Sequence, residues 1–473
     1  MLTQLKNWSI NSDSFLLPAL PSIGFWISFI SGLLLLFIIP PFQGPDEVNH
    51  FYKVYHISEG NWATLKKDNR VGGEIPQSIV EIAQYFSQYR FHPNPEISIA
   101  DLGRFSEIPL NLDVKVMQDF PNTGMYNPIC YGAYLIPMYW MIQLEVNPLI
   151  QLYLLRFISV LTWSVALFFC LKWLTQFRLL FFLLSTLPMA FFIHASVSAD
   201  VLLNAVVFLF ISFVFRVFVA RQGLTRKDYG IVILFILLIS SIKLVYAPIL
   251  LLLALWPLHY FKSRVHQIFT WNVWFLISLA MILFWAAQSG KIYTPYELYN
   301  PEYRAGLDLT EGANMNYQVH QLSLHPGNII KVIYFSTVEN AQDFAQSYIG
   351  RLGWNFVRIP LGMLLLSYLM IALACLQPIP IGLARFQNIF ILGIAFFTTW
   401  VLIILSQYVT WEVVNAQRVY LLQGRYFISL FPLLFIGIRL LNPLTVKLPV
   451  WIFIAYAFLS SLITIGILYK WYY

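Results

Sequence analysis

Apolar runs, most of them near the length needed to cross a bilayer, recur along the whole of this 473-residue chain. They fall near residues 22–40, 128–144, 150–171, 179–197, 201–219, 229–242, 245–260, 269–288, 357–376, 388–407, 426–441 and 449–469. A lipid-crossing helix needs about 20 such residues. Only 11% of the chain is charged and 59% is hydrophobic, with a mean hydropathy of +0.68. That balance excludes a soluble enzyme and predicts an all-α polytopic membrane protein, one domain over residues 1–473. The net charge of +7 is spread as single loop charges, which argues against a nucleic-acid groove. Cys130, Cys170 and Cys375 are scattered and suggest neither disulfides nor zinc. The first run begins near Ile23 and ends in Pro40-Pro41 without a small-residue cleavage site, so it reads as an uncleaved span.

Loop charges choose the orientation. If the N-terminus is cytoplasmic and 128–144 does not fully cross, Lys6, Lys172, Arg178, Arg216, Arg221, Arg226, Lys227, Lys262, Arg264, Arg385, Arg439 and Lys447 share the inner side. Only Asp13 and Asp228 oppose them there, and 20 of the 22 acidic residues lie outside. The opposite parity moves the basic loops outside. The expectation is therefore about 11 transmembrane helices plus one re-entrant or tilted segment at 128–144, where Pro128 and Pro137 make an irregular helix plausible.

Two long outer loops follow, 41–127 and 289–356. In the first, Pro76 to Arg90 predicts an amphipathic helix, with Ile75, Ile79, Ile82 and Phe86 at helical spacing. It either lies along the membrane surface or packs on other loops. The stretch from His92 to Asn127 reads as a loop that grips an acceptor. In the second, Tyr293, Tyr296, Tyr299 and Tyr303 suit interfacial anchoring better than sugar stacking.

The chemistry concentrates on the outer side. Pro40-Pro41-Phe42-Gln43-Gly44-Pro45-Asp46-Glu47-Val48-Asn49-His50-Phe51 follows the first span directly. Proline ends the helix, and two carboxylates and a histidine then stand at the lipid boundary. One carboxylate suits a general base and the other metal or acceptor binding; alternatively both begin a helix. Asp200 follows a tight Ser-rich turn and either serves the site or caps a helix. Lys243 is the only charge from Tyr229 to Tyr260, which suits a phosphate or a buried carboxylate. Gly350-Arg351-Leu352-Gly353-Trp354 and Gln423-Gly424-Arg425-Tyr426 offer guanidinium groups for phosphate oxygens. The bland alternative for both is interfacial snorkelling.

These segments, with Leu187-Pro188-Met189, Ser196-Val197-Ser198-Ala199-Asp200 and Lys243 with Tyr246, resemble the bacterial membrane proteins grouped as domain of unknown function 2142. The resemblance runs from the first span to the penultimate one. It implies a GT-C-like bundle beside the GT-C glycosyltransferases, in the bacterial inner membrane, with an outer-face site that takes sugar from a polyprenyl-phosphate-type lipid. The acceptor would be an envelope glycan, lipid or protein. Asp46 or Glu47 would be the base. His50, Asp200, Lys243, Tyr246, Arg351, Trp354, Arg425 and Tyr426 would bind substrate. Some members of the wider group bind a divalent metal (Mg2+ or Mn2+) and others do not; Asp46, Glu47 and Asp200 are the ligands if one takes part. A flippase of lipid-linked saccharides and a non-catalytic membrane subunit are the alternatives.

Overall fold

A computed structural model describes residues 2–91, 97–307, 309–379, 385–420 and 422–473. Helix α1 (Leu2–Ile38) ends at Pro40-Pro41, and α2 (Glu47–Ser58) begins after a short loop. Then come β1 (Leu65–Lys67), β2 (Arg70–Pro76), α3 (Gln77–Ser87), α4 (Ile99–Ser106), β3 (Lys115–Asp119), α5 (Pro121–Gly124) and α6 (Gly132–Gln143). Next are α7 (Pro148–Trp173), α8 (Arg178–Ser185), α9 (Pro188–His194), α10 (Ala199–Ala220) and α11 (Arg226–Ile242). A 3-10 run (Leu244–Leu255) leads to α12 (Arg264–Ile292), α13 (Pro301–Arg304), α14 (Met315–Leu324), α15 (Gly327–Val338) and α16 (Ala341–Gly350). The chain closes with β4 (Arg351–Leu352), β5 (Val357–Arg358), α17 (Leu361–Ala374), α18 (Phe386–Trp411), α19 (Phe431–Leu441) and α20 (Val450–Tyr472).

Among the described residues six helices are long and apolar enough to cross a membrane: Phe15–Ile38 of α1, α7, α10, α12, α18 and α20. Helix α10 is the central one, with 78% of its most apolar window enclosed, against 11% for the peripheral α12. The other apolar runs form shorter or broken helices, so length and composition alone mark six spans of the expected 11 or so. Residues 179–197 split into α8 and α9, with Pro188 opening the second, and both are almost wholly buried. Broken helices survive at membrane depth when protein covers their backbone. The 3-10 run carries Pro248, which has no N–H to donate. Its steeper rise lets 12 residues reach about 24 Å. Helix α6 has 12 residues, about 18 Å, too short for a core of about 30 Å.

The segment between α1 and α6 is not all helical, which corrects the all-α expectation. Strands β1, β2 and β3 form an antiparallel sheet in that order. Its first hairpin turns through Asp68 and Asn69, both at positive φ (52° and 58°), the two-residue geometry that matches strand twist. Strand β3 lies within the stretch expected to be loop, of which residues 92–96 are outside the described residues. Helix α3 exists, with Pro76 just before it, but Ile75 belongs to β2. Ile79, Ile82 and Phe86 are fully buried, so its apolar face packs on protein. Tyr299 is likewise buried, donating to Asp119 at 2.5 Å, and Arg70 lies 3.6 Å over the Tyr303 ring. These two tyrosines staple the long loops together instead of facing lipid.

Candidate functional site

The loop from Pro40 to Asp46 is pinned before α2 begins. Asp46 precedes the helix in the left-handed region (φ 58°, ψ 11°) and makes no side-chain cap. Aspartate tolerates that conformation better than most residues. The carboxylate is free to turn outward. Its Oδ2 accepts from Arg425 Nη2 at 2.5 Å and its Oδ1 from Asn122 Nδ2 at 3.3 Å. Its side chain keeps 22% of its surface exposed. Burial would push the Asp46 carboxyl up, but the Arg425 guanidinium holds it below its ordinary value.

Arg425 continues the chain of charges. It stands on the 3-10 turn Gly424–Phe427, where Gln423 Oε1 takes its Nε at 2.6 Å and the Pro45 carbonyl takes Nη1 at 3.3 Å. The same Nη1 lies 4.0 Å from Asp200 Oδ2. Asp200 Oδ1 in turn accepts from Lys243 Nζ at 2.5 Å. Asp200 sits in the first turn of α10, but Ser198 provides the cap, leaving the carboxylate for Lys243. Lys243 occupies the extended junction between α11 and the 3-10 run. Its ammonium is 5.3 Å from the ring centres of both Tyr126 and Tyr426. Asp46, Arg425, Asp200 and Lys243 thus alternate in sign along one contiguous chain. It gathers the N-terminal end of α2, the N-terminal end of α10, the C-terminal end of α11 and the Gly424–Phe427 turn.

Glu47 is elsewhere. It is fully buried and held by Arg156 of α7, also fully buried, at 2.6 and 2.8 Å. Glu47 also accepts from the N–H of Gly44 at 3.2 Å and of Val197 at 2.9 Å. Arg156 spends its other donors on the carbonyls of Leu36, Ile39 and Pro40. All five guanidinium N–H groups are satisfied. The pair ties the end of α1, the start of α2 and the turn before α10 together. Glu47, expected as a candidate base or metal ligand, thus has no open face for substrate.

His50, one turn into α2, is buried, with Nδ1 2.8 Å from the Tyr131 hydroxyl. Burial pushes its pKa down to about 4, despite Asp46 and Asp200 nearby. Tyr246 donates its hydroxyl to the Tyr426 carbonyl, bracing the Arg425 turn. Arg351 is turned from the charge chain. Its Nη2 is engaged by Asp343 and by Gln346, although it shares a small cavity of about 30 Å³ with Arg425. Trp354 borders that cavity and a larger one, with Arg90 3.4 Å over its ring.

Two larger cavities flank the chain of charges. A cavity of about 190 Å³ under the cap mixes Asp46, Arg90, Gln84 and Asn122 with apolar groups such as Phe42 and Leu307. A second, of about 390 Å³, is walled by Lys243, Tyr126, Tyr426, Tyr246 and Trp285; Asn122 borders both. The lysine cavity shares Leu244 and Val245 with an apolar groove of about 630 Å³ between the 3-10 run, α12 and α18. Leu251 and Phe275 on that groove are exposed.

The carboxylates do not suit a resident Mg2+ or Mn2+. Such ions want several oxygen ligands, yet Glu47 is committed to Arg156, Asp46 to Arg425 and Asp200 to Lys243. Among the described residues no three metal-ligating side chains cluster.

Arg156, Asn122 and Tyr126 carry the site's geometry and were not singled out from sequence. Arg156 is the only charge in the run 150–171, the same signal that marks Lys243. Asn122 and Tyr126 lie in the stretch taken for loop and show no such signal.

The architecture is that of a multi-pass helical membrane protein with a buried chain of charges where helices meet a mixed helix–sheet cap. The chain belongs to the family described as "Predicted membrane protein (DUF2142)", whose profile matches residues 29–434. No curated protein and no solved structure matches it.

Proposed function

We propose that this protein is an inverting glycosyltransferase that moves a sugar from a polyprenyl-phosphate-type lipid to an acceptor on the outer face of the bacterial inner membrane. The observation that carries the reading is the Asp46–Arg425–Asp200–Lys243 chain, with one cavity at its Asp46 end and, at its Lys243 end, another that runs into an apolar groove. The prenyl tail takes the groove. The lipid phosphate meets Lys243 and Arg425.

In the reaction an acceptor hydroxyl oxygen attacks the anomeric carbon as the bond from that carbon to the phosphate oxygen breaks. The proton passes to Asp46, and the phosphate leaves with the bonding pair, its charge stabilised by Arg425 and Lys243. A carboxylate locked to a guanidinium is a weak base. Phosphate competing for Arg425 frees Asp46 and restores its basicity, so donor binding prepares the base. Glu47 and Arg156 hold the loop that carries Asp46.

The test is an Asp46→Asn strain analysed by mass spectrometry of its envelope lipids. The lipid-linked sugar should accumulate while the protein remains abundant. An unchanged lipid profile and an unchanged glycosylated product overturn the assignment.

A further inference from the structure

We infer that the cavity beside Asp46 is a saccharide-binding site and that the acceptor is therefore a glycan end presented from the aqueous side, not a lipid or a protein side chain. The inference rests on the transferase reading for the word acceptor; the binding site itself does not. Four carboxamides line the cavity: Asn49 from α2, Gln84 from α3, Gln118 from β3 and Asn122 from α5. Each carboxamide offers two donor hydrogens and an acceptor oxygen, which matches hydroxyl groups that both give and take hydrogen bonds. Trp354, with the Arg90 guanidinium over its ring, adds an aromatic wall. The Asp46 carboxylate borders the same space, so a hydroxyl of a bound ring is brought to the base.

The shape argues the acceptor class. At about 190 Å³ the cavity suits a single sugar ring, whereas an extended peptide needs a long groove. It shares no lining residue with the apolar groove, and only Asn122 with the lysine cavity. A lipid acceptor would need a second channel from the bilayer into this cavity, whose walls come instead from the helix–sheet cap, the loop carrying Phe42 and Asp46, the 306–307 loop and Trp354. Donor and acceptor therefore meet the charge chain at its two ends, Lys243 and Asp46, with Asn122 bordering both cavities. Asn122 accepts from Asn49 at 2.8 Å while donating to Asp46, so a hydroxyl entering beside it can exchange with either partner.

Saturation-transfer NMR on the full-length protein in detergent micelles tests this. The probes are methyl glycosides of glucose, mannose, galactose and arabinose, with N-acetyl-seryl-amide as the peptide control. At least one glycoside should show transfer and the peptide none. Gln84→Trp, at an exposed position on the wall, should weaken that glycoside by about tenfold or more, and Asn49→Ala should do the same. Ala254→Phe, which fills the apolar groove, should leave glycoside binding unchanged. No transfer from any glycoside, transfer that survives Gln84→Trp, or binding of the peptide instead overturns the inference. Glycoside binding without consumption of any lipid-linked sugar overturns the transferase reading and leaves the saccharide site standing. Lipid-sugar consumption without glycoside binding does the reverse.

Discussion

Asp46 and Glu47 are consecutive residues held by different cations: Asp46 by Arg425 with part of its carboxylate exposed, Glu47 by Arg156 with none. The backbone change at Asp46, left-handed before a regular helix, separates their directions. One carboxylate borders an open cavity, and the other fixes the loop that carries it.

Glu47→Gln should accordingly act on the fold. Removing one partner of a fully buried ion pair costs about 3–5 kcal/mol, and here it also loosens the N–H groups of Gly44 and Val197. Abundance and melting temperature in detergent should fall sharply. A stable but inactive Glu47→Gln protein would assign Glu47 a chemical role after all.

Lys243→Met leaves Asp200 buried beside only the more distant Arg425 and should destabilise the protein by several kcal/mol. The double variant Asp200→Asn/Lys243→Met removes both charges. It should recover most of the stability without regaining sugar transfer. A double-mutant cycle on melting temperature and activity reads the two effects separately.

His50 sets an acid limit. Its folded pKa of about 4 lies below the ordinary 6.5, so the unfolded chain binds a proton that the fold does not. The stability due to neutral His50 is complete above pH 6.5 and is lost as pH falls toward 4, to an extent of about 3 kcal/mol. Burial also lowers His56, which acts in the same direction, whereas the Asp46 contribution fades only at still lower pH. Melting curves at pH 7 and 4.5 should show a smaller drop for His50→Gln than for the parent. Equal drops would contradict the account.

Gly424 lets the Arg425 turn lie against the backbone of Ser347 and Tyr348, where a Cβ would collide. Gly424→Ala should cost about 1–3 kcal/mol and draw Arg425 off Asp46. Gly393→Ala, with open space around its Cβ position, should be neutral or slightly stabilising in the helix. Comparing the two by abundance and transfer rate checks the close approach.

Much of this was legible from residues alone. Hydropathy and length marked the membrane class, and loop charges put Asp46, Asp200, Lys243 and Arg425 on one face, where they meet. Their partners were not legible, because Arg156 reaches Glu47 across 109 residues of sequence and no local pattern encodes that contact. The Gly-Arg motifs looked equivalent, yet only Arg425 joins the chain of charges; Arg351 turns to Asp343. Hydropathy does not distinguish an apolar helix facing lipid from one buried in protein, which is why α8 and α9 read as one span. Of the cap strands, β1 has only 3 residues, and β2, with its Gly-Gly pair, does not alternate apolar and polar residues.

The most direct test is release of polyprenyl phosphate from polyprenyl-phosphate-linked sugars by the purified protein in proteoliposomes, followed by mass spectrometry. The parent should release it in the presence of acceptor, and Asp46→Asn should do so about 10²–10⁴-fold more slowly per folded molecule. Equal rates in the two proteins, or movement of intact lipid-linked sugar across the bilayer without release, would contradict it.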